Sequence, residues 1–265
     1  MLRLIKTKIR DSIPKRLQVP LKYWYSKFSG ELEEEMILLP KLLTRTGRVV
    51  DVGANRGVYA YPMAKLSSYV ELFEPNPYCS VVLNCFASTR LNVTVHTVAL
   101  SDRQGFADLQ VPVDAAGVEH DSSATIEKIA SDDFRAHRVK LTTLDSFEFR
   151  NVEFIKIDVE GHESRVLAGA AETIKSQMPA LLIEVEQRHC ERPIEDVFKQ
   201  VRGLGYEGFF LEGGRTLRSL SDFDPLRHQA ISNLGGRRGS YINNFLFLHC
   251  KRLSNGDYKS VIHID

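Results

Sequence analysis

Seven short apolar runs recur along the 265-residue chain, at 48–53, 69–74, 93–98, 153–158, 180–186, 206–211 and 243–250. In most of them apolar residues follow one another directly, as expected of strands covered on both faces. Between several runs the period changes to that of a helix. In ESRVLAGAAETIKSQMP, Val166, Leu167, Ala170 and Ile174 share one face, and the pattern stops before Pro179. RPIEDVFKQVRGLG places Pro193 near a first-turn position, carries Ile194, Val197, Phe198 and Val201, and ends in glycines. Strands alternating with helices predict βαβ units and a doubly wound, mainly parallel α/β sheet with helices on both faces. One stretch departs from this rhythm. Residues 99–152 hold two strand-like segments, FADLQVPV and RVKLTTL, around a polar segment at 114–137. A structureless loop of that length is uncommon, so the stretch reads as a β-rich insertion before the fourth main strand. It is expected to carry its own strand pair and a short helix beside the ligand cleft.

Composition adds little until charge is located. Hydrophobic residues make up 43% and charged residues 26%, ordinary for a soluble globular protein. No run approaches the ~18 apolar residues of a transmembrane helix. Lys6, Lys8 and Arg10 interrupt what would be the apolar region of a secretory signal. Four cysteines without Cys-x-x-Cys spacing argue against zinc and a disulfide framework, hence for a reducing, cytoplasmic setting. The net charge of +1 is uneven: residues 1–30 hold eight Lys/Arg and one acid, +7, leaving −6 for the rest. A mildly acidic body argues against a nucleic-acid partner. The basic arm reads as an amphipathic helix that packs Leu2, Ile5 and Ile9 on the body, or as a contact to the inner face of an anionic membrane. The expected layout is a basic helical arm at 1–44, a catalytic domain at 45–250 and a tail at 251–265.

The stretch VVDVGANRGVYA, residues 49–60, runs from a strand through a glycine turn towards a helix, an arrangement that holds ligands against backbone N–H groups. It is not a P-loop, because Val58 and Tyr59 stand where Lys and Ser/Thr would meet phosphate and magnesium. Nor is it the dinucleotide fingerprint: the spacing is Gly53-x-x-x-Gly57, without the middle glycine that admits a pyrophosphate. An NAD-dependent oxidoreductase is therefore the weaker alternative. Asp51 at the strand end would repel a pyrophosphate but suits a cationic amine. Glu74, 23 residues on in YVELFEPNP, ends the second strand, where an acid accepts hydrogen bonds from a ribose diol. Pro75 keeps the chain extended, and Asn76 is placed to cap a helix beginning at Pro77. A ribose and a cationic amino-acid end, without a phosphate clamp, describe S-adenosyl-L-methionine. The expected contacts are Asp51, Gly53, Ala54, Asn55 and Gly57 in the turn, then Glu74, Pro75 and Asn76. Ser101 and Asp102 after the third strand would stand near the adenine.

VVDVGANRGVYAYPMA, LFEPNP, VALSD, TTLDSF, FIKIDVEGHESRVLAGA, ALLIEVE and NNFLF resemble, in order, the blocks of FkbM-type S-adenosylmethionine-dependent methyltransferases across roughly residues 45–250. The pairing of IKIDVEGHE with DVGANRG is the specific part. One departure is Ala60, where the family more often has a serine. The resemblance implies a class I methyltransferase fold, Rossmann-like, with seven strands and the last antiparallel. It also implies O-methylation of a sugar, glycan, glycolipid or natural-product hydroxyl. A non-sugar small molecule or a nucleic acid is the alternative acceptor. Amino-adenine enzymes, however, place an Asp/Asn-Pro-Pro-aromatic run where this chain has Asp158-Val-Glu-Gly161. In an open α/β sheet the catalytic base belongs at the carboxyl ends of the strands. There FIKIDVEGHE delivers Asp158, Glu160 and His162, with Asp158 also beside the cofactor and His162 the natural base near neutral pH. Glu163 reads as solvent-facing or paired with Arg165. Of Glu184 and Glu186, alternation along a strand lets only one face the pocket, and Glu184 is the choice. Asn243 is placed to hold a polyol. The carboxylates are compatible with Mg²⁺, but no metal is expected.

Overall fold

The computed structural model describes residues 12–113, 117, 119, 121–127, 133–190, 192–214, 216–233 and 241–262. Leu2, Ile5 and Ile9 of the expected arm lie outside the described residues. The helix α1 (Lys15–Ser29) is followed by the short α2 (Leu39–Leu42), β1 (Arg48–Val52), α3 (Ala60–Leu66), β2 (Tyr69–Phe73), α4 (Pro77–Ala87) and β3 (Val93–His96). Next come β4 (Ala99–Leu100), β5 (Gly105–Pro112), β6 (Phe134–Thr142), β7 (Val152–Ile157), α5 (Glu163–Gly169), α6 (Ala171–Gln177) and β8 (Ala180–Glu184). The chain continues through α7 (Glu195–Gly203), β9 (Tyr206–Glu212), β10 (Thr216–Ser219) and β11 (Asn244–His249).

All seven apolar runs are strands of one sheet, in the order β10-β9-β11-β8-β7-β1-β2-β3. β1, β2, β3, β7 and β8 pair in parallel, whereas β11 runs antiparallel to both β8 and β9. The sheet has eight strands rather than the expected seven. The extra one, β10, folds back on β9 at the edge. Its sequence TLRS is polar and largely exposed, the composition that discourages edge-to-edge pairing.

Each face of the sheet has its own core. Val50, Val52, Ile155, Ile157, Leu181 and Ile183 point to one side, against Val166, Leu167 and Ile174 of α5 and α6 and Val197, Phe198 and Val201 of α7. Val49, Leu72, Phe154 and Leu182 point to the other, against Ala60 and Met63 of α3 and Leu83 and Phe86 of α4. Val19 of α1 and Leu38 and Leu39 join the second core, so α1 is packed on the domain. Alternating strand residues thus serve two buried layers, which is why the runs are continuously apolar.

The insertion forms a three-stranded sheet, β4-β6-β5, in which β5 and β6 pair antiparallel. The single helix expected over 163–177 is two, broken at Ala170 (φ −114°, ψ 5°). Two contacts account for the break. A Cβ on Gly169 would stand 1.9 Å from the Ser101 carbonyl oxygen, so the first helix ends against backbone. The Asp145 carboxylate then accepts from the N–H groups of Glu172 (3.1 Å) and Thr173 (2.8 Å), capping the second helix from a distant segment.

Candidate active site

The carboxyl ends of β1, β2, β7 and β8 meet at one edge of the sheet, and two joined cavities open there. The β1 turn brings Gly53 (φ +81°) so close to β7 that a Cβ would lie 1.8 Å from the Asp158 carbonyl oxygen. Only glycine tolerates both that dihedral and that contact. The approach puts Asp158 beside the turn, and Gly53, Asn55, Asp158 and Glu160 line both cavities.

The first cavity is a slot of about 590 Å³ including its open mouth. Phe73, Val98, Leu100, Leu109, Ile126 and Val159 make its apolar walls, and Glu74 and Pro75 stand at the β2 tip. The Glu74 carboxylate accepts from the N–H groups of Asn55 (2.6 Å) and Asn76 (2.7 Å). Burial nevertheless pushes its pKa up to about 7. The remaining lone pairs of its oxygens are available to hydroxyl donors. Asn76 is buried and caps α4 as expected, its side-chain oxygen accepting from the Tyr78 N–H at 3.0 Å.

The second cavity, about 850 Å³, is polar. Glu33, Asp51, Asp158, Glu160, Glu184 and Glu186 line it, together with Lys22, Arg56, Lys156 and Arg188. Asp51 is fully buried, and neither of its carboxylate oxygens has a hydrogen-bond partner among the described residues. Desolvation raises its pKa to about 7, opposed by the Lys156 charge. Lys156 is itself buried and binds Asp158 at 2.8 Å. Burial alone would pull its ammonium down, but the carboxylates of Asp158, Glu33, Glu184 and Asp51 hold it above its ordinary value. Glu33, from the segment after α1, accepts the Tyr59 hydroxyl at 2.5 Å. Glu160 sits at φ +52°, an uncommon backbone state for a non-glycine. Burial first, and then the neighbouring Asp158, push its carboxyl up to about 8. Glu184 is raised well above the usual carboxylate range, again by burial first.

Residues 121–127 of the insertion fasten onto this edge. The Asp121 carboxylate accepts from Arg56 Nε (2.8 Å) and Asn76 Nδ2 (3.3 Å), and its carbonyl accepts from Asn55 Nδ2 (3.2 Å). The Thr125 hydroxyl donates to the Glu160 carbonyl at 2.8 Å.

Several expectations change. His162 lines the slot, but both ring nitrogens are engaged. Nδ1 lies 2.5 Å from Glu127 Oε1, and Nε2 lies 3.0 Å from Ser101 Oγ. The buried imidazole is thus held at both ends, by Glu127 and by Ser101. Asp102 does not line the slot. It binds Arg165 at 3.0 Å, and although desolvation opposes this, the Ser101 hydroxyl and Arg165 hold its carboxyl below the usual range. Ser101 is buried between His162 and Asp102, not on the slot wall. Gly57 closes the turn through its N–H to the Ala54 carbonyl (2.8 Å) and faces Leu83 and Val19, away from both cavities. Glu163 is buried, not solvent-facing, and accepts the Gly161 N–H at 2.9 Å.

Glu184 and Glu186 both line the second cavity, because β8 ends at Glu184 and strict alternation ends with it. Asn243 donates to Glu184 Oε1 at 2.7 Å and lies 3.4 Å from Glu186, so it steadies both carboxylates. Ala54 lines the second cavity as expected. Lys156, Tyr59, Glu33, Lys22, Arg56, Asp121 and Arg188 were not foreseen. Only Lys156 carried a signal, a lysine set between Ile155 and Ile157 in a buried strand. Among the described residues no group of three or more His, Cys, Asp or Glu side chains is arranged to hold a metal. No helix among them is long and apolar enough to cross a membrane.

The strand order, the glycine turn after β1 and the acid at the tip of β2 define the class I methyltransferase architecture. The chain belongs to the methyltransferase FkbM family, whose domain matches residues 51–207. Among solved structures it is similar to a methyltransferase FkbM from Methylobacillus flagellatus KT, with a TM-score of 0.51 and 15% identity over 89% of this chain and 55% of that one. The chain thus spans about half the length of that relative. A SAM-dependent methyltransferase from Aquifex aeolicus aligns at a TM-score of 0.40 and 15% identity, over 91% and 96% of the two chains. Fibrillarin from Aeropyrum pernix, solved with natively bound S-adenosyl-L-methionine, aligns at 0.42 and 12% identity over 81% and 70%. No curated protein matches the chain.

Proposed function

We propose that the protein is an S-adenosyl-L-methionine-dependent O-methyltransferase acting on a hydroxyl of a sugar-like acceptor. The observation that carries the reading is Asp51, a buried carboxylate at the second cavity beside an apolar slot, whose two oxygens have no hydrogen-bond partner among the described residues. An uncompensated buried acid is costly, and a cationic amine is the partner it fits. The slot suits an adenine, with Glu74 placed for the ribose hydroxyls. Gly53 leaves room for backbone approach, and Asp158 and Glu160 stand at the junction. When bound, the cofactor supplies a methyl group on a sulfonium.

The chain's own residues do the rest. Asp158, steadied by Lys156, puts negative charge beside the sulfonium position. Alignment of a hydroxyl with that methyl is worth about 7–11 kcal/mol of the barrier. Glu184, Glu186 and Arg188, with Asn243 steadying the two carboxylates, offer acceptors and donors side by side, the chemistry that holds a polyol, and the acids oppose a phosphate-rich acceptor. Glu160 takes the hydroxyl proton. A carboxylate raised to about 8 by burial is better matched to that proton near neutral pH than an ordinary one. Calorimetry with S-adenosyl-L-methionine, followed by mass spectrometry on candidate saccharides, tests this. Cofactor binding and a one-methyl gain on a saccharide support it. Absence of cofactor binding, or binding unaffected by Asp51→Asn, overturns it.

A further inference from the structure

Helix α1 carries two apolar faces. The inner one places Val19 against Gly57 and Leu83 and buries Ser26. Tyr23 stacks on Tyr61 with ring centres 4.8 Å apart. The outer one consists of Leu17, Leu21, Trp24, Tyr25 and Phe28. Their spacing of i, i+4, i+7, i+8 and i+11 makes a single stripe on the side opposite Val19 and Ser26. These five are 44%, 47%, 37%, 55% and 82% exposed. Scattered exposed hydrophobics are ordinary, but a contiguous stripe of two aliphatics and three aromatics marks an interaction face.

Cations flank the stripe: Arg16 and Lys27 of the same helix and Lys65 of α3, while the acids of the segment 31–35 begin only after the helix ends. Lys27 Nζ sits 5.1 Å from the Trp24 ring centre, and Lys65 Nζ lies 4.2 Å from that of Tyr61. Tyr61 in turn accepts the Trp24 indole N–H at 3.2 Å. A second copy of this chain docking face to face would bring the same positive charge to the interface. An anionic lipid surface brings the opposite charge together with an apolar layer for the aromatics. Fifteen residues are too few to cross a bilayer, so such a helix lies in the interface plane.

We propose that α1 docks on an anionic lipid surface, with the Leu17–Phe28 stripe at the headgroup–acyl boundary and Arg16, Lys27 and Lys65 over the lipid phosphates. Lys22 of the same helix lines the second cavity, so docking would hold that cavity close to the lipid.

Trp24 is the only tryptophan, and its emission reports the stripe directly. Full-length protein is titrated with vesicles of phosphatidylcholine and phosphatidylglycerol, and separately with pure phosphatidylcholine. Blue-shifted emission and co-sedimentation with the anionic vesicles alone, reversed by salt, are the expected result. Leu21→Glu/Phe28→Glu, at exposed sites where unfolding should be unchanged, is expected to lower vesicle partitioning roughly tenfold or more. Arg16→Glu/Lys27→Glu should do so by a similar factor, since each basic residue near an anionic surface contributes about 1 kcal/mol. No emission change, equal binding to both vesicle types, or loss of self-association in Leu21→Glu/Phe28→Glu without any vesicle binding would overturn the proposal. Vesicle binding is read without cofactor or acceptor, so its failure is distinct from failure of the methyl-transfer reading.

Discussion

Asp51→Asn should make the unliganded protein more stable at pH 8 while removing most of its cofactor affinity. Asp51 holds its proton up to about pH 7 in the folded chain, against an ordinary value of 3.8, because burial penalises the charged form. The folded state therefore binds that proton more tightly than the unfolded state. The associated stability is present at low pH, declines as pH rises from about 4, and is gone above about 7. Roughly three pKa units at 1.36 kcal/mol each amount to about 4 kcal/mol of ionisation cost at pH 8. Asparagine has no proton to lose and escapes that decline. A buried amide short of partners returns about 1–3 kcal/mol of the gain, leaving the variant about 1–3 kcal/mol more stable at pH 8 and close to wild type near pH 5. Urea unfolding followed by circular dichroism at the two pH values measures this. With S-adenosyl-L-methionine added, the wild type should gain stability and the variant should not. An Asp51→Asn protein that is less stable at pH 8, or offset equally at both pH values, would refute the account of Asp51 as a strained, ligand-seeking carboxylate.

Glu160→Gln should lose about 10²–10⁴-fold in kcat with calorimetric affinity for S-adenosyl-L-methionine retained; near-normal turnover would move the base elsewhere. Wild-type turnover should rise with pH and level off above about 8, as the Glu160 carboxyl ionises, and a profile flat from pH 6 to 9 would exclude it. His162→Ala should lose stability because Glu127 and Ser101 lose their shared partner, yet keep that pH profile, which a catalytic imidazole would not. Glu74→Ala should weaken cofactor binding by about 1.5–3 kcal/mol, the range for a charge-assisted hydrogen bond. Asp102→Ala should leave that affinity within about 0.5 kcal/mol, as for other surface changes.

The sheet could be read from the chain because each main strand is buried on two sides, so burial writes itself as an uninterrupted apolar run. The polar edge strand β10 has no such signature, since only Leu217 of its four residues packs against a core. The break at Ala170 was hidden because alanine is a good helix former, and the capping carboxylate, Asp145, lies in a distant segment. The acids at the strand tips were legible from position alone. The hold on both ends of the His162 ring was not, because its partner Glu127 comes from the insertion, 35 residues away. Likewise the pairing of Glu184 with Glu186 depends on where β8 stops, which no periodicity states. Lys156 stood in plain view in FIKIDVE, yet its meaning required seeing, besides Asp158 in the same stretch, the carboxylates of Glu33, Asp51 and Glu184 from three other parts of the chain.

The grip of residues 121–127 bears on the tempo of the proposed reaction. Asp121 ties Asn55, Arg56 and Asn76 together, and Thr125 reaches the backbone of Glu160, so the slot is clasped from both the β1 and the β7 side. Whatever enters or leaves the slot past this clasp must loosen the charge-assisted bonds to the Asp121 carboxylate, worth about 1.5–3 kcal/mol each, and the neutral ones from Asn55 and Thr125, worth about 0.5–1.5 kcal/mol each. Bond making at the methyl group does not disturb them. The slow event in a catalytic cycle would then be the exchange of spent for fresh cofactor, and a chain with Asp121 neutralised would trade tight retention for faster turnover.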